Sequence, residues 1–233
     1  MIQVEKFENL GRFRNDWLNA RHHFSFGQHH NAERMGLGAL RVWNDDEIHP
    51  GKGFDPHPHQ EMEIITYVRE GAITHRDNLG NEGRTEAGDV QVMHAGTGIT
   101  HAEYNLEPGA TRIFQIWLVP NQRGMTPGWG ARAFPKDQAD SLKVLADGRA
   151  DADGTALPLY ADGAVLAGTI RAGQILRQTL GAGRAAYLVP ATGSITVNGI
   201  KIDTRDGVTI TDEAEIEISA DEDAEIVMVD VVL

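Results

Sequence analysis

The stretch ITYVREGAIT, residues 65–74, recurs in the second half of the chain as YLVPATGSIT, residues 187–196. The two stretches align without a gap, and the alignment pairs Gly71 with Gly193. In both copies a run of β-branched and aromatic residues ends near a glycine, which is typical of a strand that enters a turn. The repeat therefore predicts two structural units of the same kind in one chain.

The segments that follow the two copies also agree in their order. EAGDVQVM in the first half corresponds to TRDGVTI in the second, and each half closes on an apolar run, RIFQIWLVP and AEIVMVDVV. Short strand-like runs bounded by glycine turns recur along the chain, whereas the best amphipathic helix pattern is NDWLNARHH at residues 15–23. These patterns predict an all-β protein made of two tandem β-barrels with few short helices.

The domain boundary is predicted from composition. Residues 121–141, NQRGMTPGWGARAFPKDQADS, are rich in glycine and proline and lie between the two copies of the repeat, so we interpret them as a linker or exchange segment. We place an N-terminal barrel at residues 1–125 and a C-terminal barrel at residues 126–233.

The composition of the chain excludes several kinds of site. Cysteine is absent from the 233 residues, so any metal must be held by histidine and carboxylate ligands. The net charge of −13 opposes direct binding to nucleic acid. No apolar run approaches the roughly 20 residues that span a bilayer, and the N-terminus lacks the apolar core of a signal peptide. We expect a cytoplasmic protein that does not contact membranes, and a monomer by default.

The ten histidines all lie at or before residue 101. A histidine site is therefore possible only in the first barrel. We expect the second barrel to cover the open face of the first or to form one wall of an entrance.

FDPHPHQEME, residues 54–63, contains the first candidate ligand pair. A proline follows Asp55 and another follows His57, and proline disfavours the helical conformation in the residue before it. The segment is therefore predicted to be extended. In an extended strand His57 and His59 point to the same face, with Cα atoms about 6–7 Å apart, so both imidazoles can reach one ion.

GTGITHAEYN, residues 96–105, contains a second pair with the same spacing, His101 and Glu103. Together the two pairs offer three imidazoles and one carboxylate, a donor set that suits a transition metal and leaves coordination positions open. Glu61 and Glu63 have the same strand parity as the first histidine pair. Spacing alone therefore leaves the identity of the carboxylate ligand open.

The other histidines are predicted to have different roles. His75 lies on a strand that follows the repeated glycine, and lining the pocket is the minority interpretation of its role. The remaining six are expected to be hydrogen-bonded or surface residues; they are His22, His23, His29, His30, His49 and His94.

The motifs GKGFDPHPHQEME and EAGDVQVMHAGTGITHAEYN resemble those of the cupin superfamily, and HHFSF, MGLGALRVWNDD, HPHQEMEIITYV, AGTGITHAE and QIWLVP resemble the pirin family. The resemblance covers about residues 20–120. It implies a bicupin fold of two jelly-roll barrels and quercetin 2,3-dioxygenase activity. It also implies a mononuclear non-haem Fe(II) held by His57, His59, His101 and Glu103, with Mn, Ni, Cu or Zn as substitutes.

From the residues and the resemblance together we expect a dioxygenase that cleaves a flavonol such as quercetin with O2, with Glu103 as the base that takes the flavonol proton. Three alternatives remain open. The first is an iron-dependent regulatory protein that binds a transcription or metabolic partner. The second is a zinc enzyme for hydration or hydrolysis, and the third is a metal-free sugar isomerase or epimerase.

Overall fold

The hairpin that the sequence repeats is present in both halves of the molecule. The computed structural model describes residues 1–134 and 141–233. In each half one strand ends at the shared glycine or just before it, and the next begins within two residues. The backbone φ is 75° at Gly71 and 68° at Gly193, a left-handed conformation that residues with a Cβ rarely adopt. The predicted repeat is therefore also a repeat of structure.

The first half contains a 3-10 helix at Phe7–Asn9 and twelve strands. The strands are β1 (Ile2–Glu5), β2 (Gly11–Arg14), β3 (Leu18–His22), β4 (Leu40–Ile48), β5 (Gly53–His59), β6 (Glu63–Glu70), β7 (Ala72–Asp77), β8 (Glu82–Glu86), β9 (Val90–His94), β10 (Ile99–Tyr104), β11 (Thr111–Leu118) and β12 (Gly128–Arg132).

The described residues of the second half form ten further strands. They are β13 (Lys143–Asp147), β14 (Leu157–Pro158), β15 (Gly163–Ile170), β16 (Ile175–Thr179), β17 (Arg184–Thr192), β18 (Ile195–Val197), β19 (Ile200–Ile202), β20 (Gly207–Thr211), β21 (Glu215–Ser219) and β22 (Ala224–Val232).

Each half folds into a jelly-roll-type barrel built from a seven-stranded and a four-stranded sheet. In the first barrel the strand orders are β12-β9-β6-β11-β4-β3-β2 and β5-β10-β7-β8. In the second they are β1-β20-β17-β22-β15-β13-β14 and β16-β21-β18-β19. The predicted all-β fold of two tandem barrels is confirmed. In the described part of the chain no helix is both long and apolar enough to cross a membrane.

The prediction of a helix at residues 15–23 is wrong. Leu18 and Ala20 of this segment are buried, their neighbours Asn19 and Arg21 are more exposed, and the segment is strand β3, which pairs with β2 and β4. Burial therefore alternates with the two-residue period of a strand. The short amphipathic pattern is overridden because the segment has strand partners on both sides.

The two seven-stranded sheets pack face to face and bury a shared core. Trp43 and Phe114 of the first barrel lie 5.3 Å apart between ring centroids, and Trp43 lies 5.4 Å from Tyr187 of the second barrel. Each barrel also has an internal core of its own, around Ile73 and Ile113 in the first and around Ile210 and Ile218 in the second. These aromatic contacts join the two barrels, which pack against each other at the face of β4 that carries Trp43.

Two strands cross between the barrels. Strand β1, at the start of the chain, pairs with β20 of the second barrel, and β12, which lies in the predicted linker, pairs with β9 of the first. Residues 128–132 of the predicted linker or exchange segment are thus a strand and not a simple linker, while residues 135–140 lie outside the described residues. The boundary at residue 125 stays a prediction, because strand pairing does not follow a single cut in the sequence.

Candidate metal centre and pocket

Strands β5 and β10 are neighbours in the four-stranded sheet of the first barrel. Their register places His57 directly opposite His101 and His59 opposite Ile99. Since residues two apart in a strand share a face, all three imidazoles point to the same side of the sheet. The two segments predicted to be extended therefore meet as one antiparallel pair.

The three imidazoles form a tight cluster. One ring nitrogen from each of His57, His59 and His101 lies within 4.8 Å of the other two. The Nε2 atoms of His59 and His101 are buried and have no hydrogen-bond partner within residues 1–134 and 141–233. His57 donates from Nδ1 to the Asp55 carbonyl oxygen at 2.7 Å, which leaves its Nε2 as the free acceptor. Leaving buried nitrogens unpartnered is costly, so this donor set fits a bound transition metal.

Burial disfavours the charged form of His59 and His101. Together with the neighbouring imidazoles, it lowers the pKa of His59 to about 4 and the pKa of His101 to about 3. A metal binds the neutral ring, so neither residue has to release a proton at neutral pH before it can act as a ligand.

Glu103 lies beside the cluster and is held by the seven-stranded sheet. Gln91 donates to its Oε1 at 2.6 Å, Gln115 donates to its Oε2 at 2.7 Å, and the Thr66 hydroxyl lies 3.0 Å from Oε1. Glu103 is only 2% exposed and is not part of the cluster of three imidazoles. Its role as a fourth ligand stays a prediction.

The hydrogen-bond donors to Glu103 belong to a polar row that crosses the sheet. Each residue of this row is the register partner of the next on the neighbouring strand, in the order His22, Asn44, Gln115, Thr66 and Gln91. This row was not predicted from the sequence. Its signal is a single polar residue inside an apolar strand, as in RIFQIWL, IITYV and VQVM.

The two alternative carboxylates lie elsewhere. Glu63 accepts a hydrogen bond from His94 at 2.6 Å and from the backbone N–H of Tyr160 at 3.0 Å. Glu61 accepts from the backbone N–H of Gly124 at 3.0 Å. Neither joins the imidazole cluster, so the strand parity that made them candidates does not bring them to the site.

Most of the other histidines are placed as expected. His23 lies 2.9 Å from the Tyr187 hydroxyl, and His22 Nδ1 lies 2.8 Å from Asn44 Oδ1. His30 and His49 are exposed. His75 is fully buried behind His101 and is not among the described residues that line the cavity, so the minority interpretation of it as a pocket residue is wrong.

A cavity of about 900 Å³ opens in front of the imidazoles. One part of its wall is aromatic and consists of Phe13, Trp17, Phe26, Phe54 and Trp117. Among the described residues, those that line the cavity lie between Arg12 and Trp117. The expectation that the second barrel forms a wall of the entrance is therefore wrong; that barrel packs on the opposite face of the large sheet.

Asp46 is a polar residue of the cavity wall that the sequence analysis also missed. Its side chain is buried and its Oδ1 has no hydrogen-bond partner. Burial raises the pKa of Asp46 well above its usual range, and the charges of Asp45 and Glu103 raise it further. Because successive residues of a strand face opposite ways, Asp46 faces the cavity while Asp45 faces the second barrel. The strand parity of NDD is the signal that could have found it.

Comparison with known proteins identifies the family. A family model described as Pirin matches residues 3–118, and one described as Quercetinase C-terminal cupin domain matches residues 146–231. A pirin-like protein of Caulobacter vibrioides is 57% identical over 231 residues, covering 99% of both chains. The chain belongs to the pirin family.

Other pirins agree with this membership and with the fold. A quercetin 2,3-dioxygenase of Escherichia coli is 39% identical over 233 residues, covering 99% of this chain and 98% of that protein. The crystal structure of the bacterial pirin YhhW from Escherichia coli in complex with nickel(II) superposes with a TM-score of 0.91 and 36% identity, covering 100% of this chain and 99% of that one. The predicted pirin membership and bicupin fold are confirmed.

Proposed function

We propose that this pirin is a metal-dependent dioxygenase that opens the ring of a flavonol such as quercetin with O2. The observation that carries the proposal is the cluster of His57, His59 and His101, which faces a cavity with aromatic walls. The name of the Escherichia coli relative, quercetin 2,3-dioxygenase, supports the same reaction.

The ligands in this proposal are His57, His59, His101 and Glu103, and the metal is Fe(II). Imidazole and carboxylate ligands suit several first-row metals, so Mn, Ni, Cu or Zn can replace it. Glu103 Oε2 accepts one hydrogen bond, from Gln115. A carboxylate oxygen has two lone pairs, so Oε2 can bind an ion while that hydrogen bond remains.

The cavity would hold the flavonol by its rings and its hydroxyl groups. Aromatic side chains such as Phe54 and Trp117 offer apolar surface to flat rings and exclude water. Asp46 and Asn44 of β4 offer polar groups to the same cavity. Glu103, held by Gln91 and Gln115, would take the proton of the flavonol 3-hydroxyl.

The metal would supply positive charge that favours the deprotonated 3-hydroxyl. The overall reaction consumes one flavonol and one O2 and releases one depside and one carbon monoxide, so the atoms balance without a further reductant. The residues of this chain position the flavonol, accept its proton and keep water away from the ring that opens.

The test measures oxygen uptake and carbon monoxide release with quercetin after loading with Fe(II), Mn(II) or Ni(II). We expect turnover well above that of the free metal, and we expect His101→Ala to abolish it. The matched control is His49→Ala, which removes an exposed histidine and should leave turnover unchanged.

Turnover equal to that of free metal, or full turnover in His101→Ala, would contradict the proposal. The first result would favour the regulatory role among the alternatives considered from the sequence. Elemental analysis of protein purified without added metal then tests Fe(II) as the native ion.

A further inference from the structure

His75 and Asp77 lie directly behind the imidazole cluster, on strand β7. The register places His75 opposite Glu103 and Asp77 opposite His101. His75 Nδ1 lies 3.4 Å from His101 Nδ1, and His75 Nε2 lies 3.0 Å from Asp77 Oδ2. The side chains of His75 and Asp77 are both fully buried. Neither residue lines the cavity, so their role is exerted through His101 and not through the substrate.

Asp77 is fixed as a hydrogen-bond acceptor by its own turn. Its Oδ1 accepts from the backbone N–H groups of Leu79 and Asn81 at 2.9 and 3.0 Å, and its Oδ2 accepts from the Asn81 amide at 2.9 Å. Burial alone would raise the pKa of Asp77, but hydrogen bonds from His75 and Asn81 lower it overall. An ionised carboxylate can only accept, so His75 must donate to it from Nε2.

This donation determines the protonation of both imidazoles. A neutral His75 with its proton on Nε2 has a lone pair on Nδ1. The facing nitrogen, His101 Nδ1, must then carry a proton and donate it. The lone pair of His101 is consequently on Nε2, the buried atom that has no hydrogen-bond partner in the described part of the chain.

The opposite pair of tautomers would prevent His101 from binding a metal through Nε2. If His75 carried its proton on Nδ1, His101 Nδ1 would have to accept, and His101 Nε2 would carry the proton. A protonated nitrogen cannot bind a metal. Outer partners that fix the tautomer of a ligating histidine are a general feature of metal sites.

Packing holds the His75 ring in this orientation. The Trp129 indole stacks on it, with ring centroids 4.9 Å apart and planes 8° from parallel. Gly83 lies under Trp129, and a Cβ added there would lie 2.9 Å from Trp129 Cζ3. The stack therefore needs the small residue at position 83, and β12, which crosses from the predicted linker, holds His75 against His101.

We propose that Asp77 and His75 are positioning residues that fix His101 in the tautomer whose Nε2 binds the metal. The inference rests on the metal-binding role assigned to His101 under the proposed function. It adds two residues of strand β7, and the Trp129 that stacks on His75, to the parts of the chain on which metal affinity depends.

The test uses Asp77→Asn. The hydrogen bonds that residue 77 makes in its own turn determine which of its side-chain atoms faces His75. The Asn oxygen would keep the two backbone N–H donors, so its NH2 group would face His75 Nε2 and donate to it. His75 would then protonate on Nδ1, and His101 would protonate on Nε2. Histidine tautomers are read from the 15N–1H spectrum of metal-free protein labelled at histidine, with His101→Asn used to assign the signal.

We expect His101 to carry its proton on Nδ1 in the wild type and on Nε2 in Asp77→Asn. Nickel(II) affinity, measured by titration calorimetry, should fall by about 10–100-fold in Asp77→Asn. His75→Phe keeps a ring against Trp129 but removes the acceptor, and it should lose affinity to a similar extent. Thermal unfolding of each metal-free variant checks that it is folded.

The matched control is a second histidine that is bonded to a carboxylate and packed on an aromatic ring. His94 lies 2.6 Å from Glu63 Oε2 and 4.8 Å from Tyr160 between ring centroids, outside the imidazole cluster. Glu63→Gln and His94→Phe should leave both the His101 tautomer and the nickel affinity unchanged.

An unchanged His101 tautomer in Asp77→Asn, or unchanged nickel affinity in both β7 variants, would overturn the inference. The proposed function fails separately, if the wild type binds no metal. The tautomer measurement needs no metal, so in that case it still decides whether Asp77 and His75 set the protonation of His101.

Discussion

At the scale of single residues, two adjacent aspartates of strand β4 have different environments. Asp45 and Asp46 are adjacent and both are buried. Asp45 forms ion pairs with Arg69 and Arg205, whereas Asp46 lines the cavity and its buried Oδ1 has no hydrogen-bond partner among the described residues. The alternation of side chains in a strand therefore separates a paired carboxylate from an unpaired one.

Asp46→Asn should stabilise the metal-free protein at neutral pH. The pKa of Asp46 is raised in the folded state by burial and by the charges of Asp45 and Glu103, so its contribution to stability is greatest below the unfolded pKa of about 3.9 and is lost as pH rises. The asparagine side chain does not ionise, so the variant does not lose this stability as the pH rises. We expect the thermal midpoint of the variant to exceed that of the wild type at pH 7, by about 2–4 °C for each kcal/mol.

The difference between the two midpoints should shrink as the pH falls through the raised folded-state pKa of Asp46, and it should be smallest below the unfolded pKa of about 3.9, where the wild-type carboxyl is protonated in both states. Thermal scans of both proteins across this range, with chelator present, check the prediction. A difference that is constant with pH would show that ionisation of Asp46 is not its cause.

At the scale of elements, the antiparallel pairing of β5 and β10 brings the imidazoles together. Gly53 begins β5 and lies against β10. A Cβ at Gly53 would overlap the Glu103 carbonyl oxygen and would lie 2.6 Å from Tyr104 Cα. Because these are backbone atoms, they cannot move aside as a flexible side chain would.

Gly53→Ala should therefore push the two strands apart. We expect a loss of about 1–3 kcal/mol of stability, the usual cost of overpacking, together with weaker nickel binding. Urea unfolding and titration calorimetry measure the two effects.

Gly109→Ala is the control for this variant. Gly109 has open space around its Cβ position and no positive φ, so both the stability and the affinity should stay at wild-type values. Equal effects of the two substitutions would contradict the packing argument.

At the scale of the whole molecule, buried charge links the two barrels. Asp45 of the first barrel is fully buried and is bonded by Arg69 of its own barrel and Arg205 of the second. Arg205 lies 4.1 Å from the Phe7 ring centroid, and Arg69 lies 4.6 Å from that of Phe114. The Asp45 carboxylate thus forms ion pairs with two guanidinium groups at the junction of the two barrels.

Asp45→Ala should be strongly destabilising. It leaves Arg69 and Arg205 close together without an anion, and breaking a buried ion pair in this way costs about 3–5 kcal/mol. Urea unfolding followed by circular dichroism measures the loss. Arg177→Ala, which removes an exposed pair with Glu217 on the second barrel, should leave the midpoint unchanged. A small effect of Asp45→Ala would show that the junction does not depend on this carboxylate.

The fold and part of the site were predictable from the sequence by itself. The glycine repeat and the short strand patterns are local, and they determined two β-barrels because turn chemistry and side-chain alternation act within a few residues. The prolines around His57 and His59 likewise determined an extended segment. The absence of cysteine and of histidine beyond residue 101 confined any histidine site to the first barrel.

Only the tertiary structure decided the rest, because it depends on which distant strands become neighbours. The register of β5 against β10 decided that His101 meets His57, and the rows of the large sheet decided that Gln91 and Gln115 hold Glu103. Pairing of β1 and β12 across the barrels, and of His75 with His101, has no local signal. These contacts join residues far apart in the chain, and long-range pairing is set by packing of the whole sheet and not by the preferences of any one segment.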